Sequence, residues 1–228
     1  MHVHMPKPLH GWRAFAGEVG IIVLGVLIAL GAQQFVESLN SSQNVRQTRS
    51  AIDAELSHDL AALQFRLNQR DCVTHRLDEL DRWSKAIGSG KAMQLKKPID
   101  PPIFFAIRTT VWDSTTGEVT SRMPLEAKLN YASLYSAMNT LEKLLEDEGT
   151  QWTVIQSYQD SRDLDRRELH EVQFAIMDLR SNNDILEAFD IRSKEFAGKL
   201  GIRPEANMEG ALKHRMAESN RQFCKPLV

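Results

Sequence analysis

A chain of 228 residues, 42% hydrophobic and 25% charged, has room for one folded domain and is too apolar for wholesale disorder. With 28 Lys and Arg against 30 Asp and Glu, its net charge of −2 leaves no basic excess for nucleic acid and no acidic excess for a solvating tail. The average conceals one concentrated apolar block near the start.

Residues 1–14 read as a short tail. Met1-His2-Val3-His4-Met5 offers thioether and imidazole groups of the kind that hold copper, but a disordered tail is the simpler expectation. The apolar block follows. Its strictly apolar run, Val19 to Ala32, rises about 21 Å, short of the roughly 30 Å hydrocarbon core of a bilayer. Extended from Phe15 to Val36 it rises about 33 Å and spans. That extension places Glu18 near one edge and Gln33 and Gln34 near the other, where polar side chains reach the interface. Trp12 and Arg13 stand where an interfacial aromatic and a headgroup-facing cation belong. Gly25 with Ala29, and Ala16 with Gly20, are small pairs at the spacing that lets membrane helices approach closely.

Residues 15–36 are therefore expected to form a retained transmembrane anchor. The alternatives are a cleaved signal peptide, with Ala29-Leu30-Gly31 as its A-x-G, and the core helix of a soluble protein. Lys7, Arg13 and the α-amino group on the amino-terminal side outweigh Arg46 and Arg49 on the other. The expected orientation is a cytoplasmic N-terminus with the remainder in the periplasm.

The stretch Gly17 to Glu37, GEVGIIVLGVLIALGAQQFVE, resembles the opening of a group of bacterial single-pass membrane proteins of unknown role. Those begin with a short basic tail, a Gly-Glu pair, an aliphatic helix ending in Leu-Ile-Ala-Leu and a polar helix after it. The resemblance covers about 21 residues. It implies a single-pass helical protein and brings no catalytic residues with it.

Beyond the anchor, apolar residues keep a helical period from Gln33 to Ile87. Ile52, Leu56, Leu60, Leu63 and Leu67 recur at steps of four and three, and Val73, Leu77 and Leu80 continue them. Asn40-Ser41-Ser42 is the weakest point for a break, and Gly88-Ser89-Gly90 a stop. Residues 88–102 read as a loop and Ile103–Trp112 as a short helix, followed by turn-rich Asp113–Gly117. A helix over 125–148 carries Leu134, Met138, Leu141 and Leu145 on one face, with Gly149 as a stop or kink. Residues 151–200 form another long helix or a broken pair. Its seam is Leu169, Val172, Ile176, Leu179 and Leu186, with Asn183 as a polar member. Gly198, Gly201 and Pro204 end it, and 205–228 is a charged tail, helical in part.

Proline agrees: none of the eight lies between residues 9 and 97 or between 125 and 203, so long helices run without the roughly 3 kcal/mol penalty of an internal proline. The expected fold is all-α: the anchor, then a bundle of three or four main helices over 37–204.

Chemistry is harder to find. Glu55 and His58 form the E-x-x-H of di-iron bundles without the second E-x-x-H such a site needs. Cys72 and His75 form a C-x-x-H, two ligands where zinc needs three or four. Nucleophile-elbow, P-loop, dinucleotide and zinc-protease motifs are missing from the sequence. Tyr131, Tyr135 and Trp152 read as core aromatics, with a ligand pocket as the alternative. Cys72 and Cys224 carry no spacing signature, so free thiols are the expectation and a long-range disulfide the alternative in an oxidising periplasm. No metal, cofactor or catalytic residue is assigned. The sequence points to an inner-membrane interaction or scaffold protein working through a protein partner or self-association. The alternatives are a periplasmic ligand-sensing bundle that signals through a partner and, behind it, a membrane-anchored enzyme.

Overall fold

The computed structural model describes residues 11–115, 117–205 and 210–227. The Met1–Met5 tail lies outside them. Among the described residues seven helices occur, in the order α1 (Gly11–Leu67), α2 (Arg70–Gly88), α3 (Thr110–Ser114), α4 (Gly117–Ser121), α5 (Leu125–Ser157), α6 (Arg166–Leu200) and α7 (Gly210–Phe223). No strand occurs among the described residues, and the fold is all-α. The chain divides into two compact units, one up to Thr48 and one from Arg49 onward.

The first unit is the amino-terminal part of α1. Its apolar side chains are exposed on every side: Ile21, Leu24, Leu27 and Ile28 are 74%, 58%, 60% and 64% accessible. A Cβ added at Gly17, Gly20, Gly25 or Gly31 would meet nothing within 4 Å. A helix apolar all round is stable only inside a large core or a membrane. By length and composition α1 can cross a bilayer. The Ser42 hydroxyl donates to the Ser38 carbonyl at 2.8 Å, and helix continues through Asn40–Ser42.

The second unit builds its core from the end of α1 with α2, α5 and α6. Ile52, Leu56, Leu60 and Leu63 of α1, Val73, Leu77 and Leu80 of α2, Leu134, Met138, Leu141 and Leu145 of α5, and Val172, Ile176, Leu179 and Leu186 of α6 are all buried. These are the stripes read from the sequence. α5 and α6 pack together as a helical hairpin, and α6 also packs on α2. At Gly88 an added Cβ would come within 2.8 Å of Leu169 Cδ2, so glycine lets the end of α2 approach the start of α6. α6 opens with a capping box: Asp165 accepts from the N–H groups of Arg167 and Glu168, and the Glu168 carboxylate accepts from the Asp165 N–H. It closes at Gly201, whose φ of +74° lies in the left-handed region that favours glycine.

Several expected boundaries move. The helical period running to Ile87 is broken at Asn68–Gln69, where Gln69 N–H turns to the Arg66 carbonyl at 3.1 Å. α5 passes through Gly149 and ends at Ser157, because Glu148, Trp152 and Ile155 extend its buried face. Helix at Ile103–Trp112 gives way to backbone without regular secondary structure through Thr109, with only α3 helical. Backbone N–H groups at 108 and 111 bond to side chains of α1, as described below.

Candidate functional site

The residues read as the anchor stand together in the first unit. Phe15 and Val36 are 45% and 54% accessible, and Glu18, Gly25 and Ala29 are likewise exposed. Trp12 and Phe15 contact at 6.2 Å between ring centroids.

Three polar assemblies occupy the second unit. The first lies where α1 faces residues 103–115 and α5. Glu55 and Asp59, one turn apart on α1, aim at this segment. Glu55 accepts from Val111 N–H at 3.0 Å and from the Tyr135 hydroxyl at 2.7 Å. Asp59 Oδ1 accepts from Arg108 N–H at 3.0 Å, while its Oδ2 is buried without a hydrogen-bond partner. Burial and the neighbouring Glu55 and Glu142 carboxylates push the Asp59 carboxyl up to about 7, against the opposing pull of Arg108. Trp112 stacks on Tyr135 at 4.9 Å. Tyr131 donates to Asp53 Oδ1 and accepts from Arg49 Nε; burial raises its hydroxyl to about 12. Burial also raises Tyr135, and its bond to Glu55 adds to the effect.

The second assembly crosses the core. Arg66 donates from Nε to Glu148 Oε2 at 3.1 Å, and from Nη2 to Glu148 Oε1 at 2.7 Å and Asn183 Oδ1 at 3.3 Å. Trp152 Nε1–H donates to Glu148 Oε1 at 3.3 Å. Arg66 and Glu148 are 1% and 2% accessible. Asn183 donates onward to the Arg70 carbonyl and the Thr74 hydroxyl, so α1, α2, α5 and α6 meet in one polar layer.

The third assembly fastens residues 222–227 to α2. Cys72 and Cys224 are joined by a disulfide, with their Cα atoms 5.0 Å apart. Arg76 donates to the carbonyls of Phe223 and Lys225 and lies 5.4 Å from the Phe223 ring. Glu79 accepts from Leu227 N–H at 3.1 Å, and Lys96 N–H donates to the Leu227 carbonyl at 2.8 Å. Burial lowers the Arg76 guanidinium and the Lys97 amine, and Arg76 depresses Lys97 further. The free-thiol expectation is thus overturned: α2 and the segment after α7 are remote in sequence but adjacent in the fold.

The metal pairs come apart. Cys72 is committed to Cys224. His58 Nδ1 lies 3.6 Å from Glu205 and its ring 6.3 Å from Phe105, while Glu55 serves the backbone at 111. Among the described residues no three His, Cys, Asp or Glu side chains converge as a metal would require. Tyr131, Tyr135 and Trp152 are at most 1% accessible and belong to the core. An open cleft of about 620 Å³ lies elsewhere, between residues 92–98 and 159–162, over Trp83 and Ile87.

The apolar pattern alone does not single out Asp59, Arg66 and Glu148, although the last two carry a signal. Glu148 sits on the α5 stripe between Leu145 and Trp152, and Arg66 three residues past Leu63. A charged residue inside an apolar seam is a buried partner in waiting. Comparison of the chain with protein-family models, with curated proteins and with solved structures finds no match.

Proposed function

We propose that this is a single-pass protein of the bacterial inner membrane, with a cytoplasmic N-terminus and a periplasmic helical domain that acts through protein contacts as a scaffold or interaction component. The observation that carries the contact role is a stripe left open on α6. Phe174, Met177 and Ile185 are 51%, 56% and 42% accessible, with Ser181 and Ala188 completing the same face at helical spacing. The exposed apolar helix of the first unit supports the anchor. The Cys72–Cys224 bond supports the orientation, because disulfides persist in oxidising compartments such as the periplasm.

Affinity purification from detergent-solubilised membranes tests the contact role. The wild-type chain should bring down a partner or a second copy, and Met177→Glu with Ile185→Glu should lose it. Recovery of the same material with both chains would sink the reading. Alkaline phosphatase fused after residue 228 should be active, and a fluorescent protein that matures only in the cytoplasm should stay dark there. The reverse result would overturn the orientation.

The cleft over Trp83 and Ile87 favours a second reading, a ligand-sensing periplasmic bundle. The aromatics first suggested for that role lie packed in the core and count against it in that form.

A further inference from the structure

We propose that residues 103–115 form a pH-sensitive strap latched by Asp59, closed on α1 and α5 while that side chain carries its proton and loosened when the proton leaves. The strap forms few backbone hydrogen bonds of its own before α3. Its N–H groups at Arg108 and Val111 go to Asp59 and Glu55, two carboxylates one turn apart on α1. Apolar contacts add to these: Ile107 is buried, Phe105 meets Phe65 edge to face at 5.3 Å, and Trp112 stacks on Tyr135.

Asp59 is the weak member of this latch. It is fully buried, one oxygen has no hydrogen-bond partner, and no ion pair reaches it among the described residues. The groups around it are Glu55 and His58 on α1, Glu142 and Tyr135 on α5, and Arg108 on the strap itself. Two of these are carboxylates, and the one cation belongs to the moving segment. A neutral carboxyl is tolerated there; an ionised one is desolvated and faces like charge. Opening the strap returns Asp59 to water. The carboxyl pushed up from 3.8 to about 7 sets the range: opening grows as pH rises through that window and levels off above about pH 7.

Trypsin cleavage at the Arg108–Thr109 bond reads the opening directly, since Arg108 is exposed but its backbone is held. The full chain in detergent is digested at several pH values and the cut quantified by mass spectrometry. Each rate is divided by that of the Asp59→Asn chain, which cancels the protease's own pH dependence. The ratio should rise about tenfold between about pH 6 and about pH 8.5. Glu142→Gln removes one of the carboxylates that raise Asp59, so Asp59 gives up its proton more readily and the midpoint should move to lower pH. His58→Gln, which alters the imidazole packed against Phe105 beside Asp59 in sequence, should leave the midpoint in place. A flat ratio, or a midpoint that follows His58 and ignores Glu142, overturns the proposal. Circular dichroism of Asp59→Asn at both ends of the range checks that the variant is folded; if it is not, the Glu142→Gln shift alone decides.

Discussion

Replacing Glu148 with Leu should be among the most damaging single changes in the helical domain. It removes the acceptor of two Arg66 bonds and of the Trp152 indole, leaving a guanidinium that is 1% accessible with only Asn183 as a side-chain partner. Arg66 Nη1 already lacks a partner, so nothing in the layer can absorb the loss. Breaking a buried pair costs about 3–5 kcal/mol, and burial this complete leaves little solvent screening to soften it. For a unit of this size each kcal/mol moves Tm by about 2–4 °C, giving a fall of about 6–20 °C. Near-UV circular dichroism of the full chain in detergent follows packing around Trp152 without counting the helical signal of the amino-terminal unit. Arg66→Met combined with Glu148→Leu should recover most of the loss, since an apolar pair of similar volume strands no charge. A single variant within about 2 °C of wild type would refute the reasoning. So would a double variant no better than Glu148→Leu.

Three further outcomes follow from the same structure. Reductant should lower the Tm of the wild-type domain but not that of a Cys72→Ser, Cys224→Ser chain; a separation of 152 residues sets an entropic ceiling of about 5 kcal/mol, reduced here because Arg76 and Glu79 also hold the segment. Gly88→Ala should cost about 1–3 kcal/mol in urea unfolding as its Cβ meets Leu169, whereas Gly198→Ala, with open space around it, should be neutral or stabilising. Because Asp59 is raised from 3.8 to about 7, the folded chain keeps a proton the unfolded chain has lost across that window. Its contribution therefore erodes as pH rises, by about 4 kcal/mol at most above pH 7. Asp59→Asn should thus gain on wild type between about pH 5 and about pH 8 in denaturant titrations, and a constant gap would refute it.

The helices were legible where periodicity was long. The seams at 52–63, 134–145 and 172–186 appear in the core as read, since a repeated step of three and four admits one buried face. Segment 103–109 was misread because its apolar residues suit a helix locally, while the decisive bonds come from Glu55 and Asp59, about 50 positions away. The break at Asn68–Gln69 carries neither proline nor glycine, so no local signal marked it. The disulfide stands in the sequence only as the alternative to free thiols, because spacing says nothing until α2 and residues 223–227 are brought together.

The Arg66–Glu148–Asn183 layer also constrains how this sequence can drift. Loss of any one member leaves the others buried without their partner, so a lineage wandering through single substitutions meets a barrier at each first step. The layer should persist intact or be exchanged wholesale for apolar residues. Among descendants of this chain, positions 66 and 148 should therefore change together, even where the helix surfaces around them have become unrecognisable.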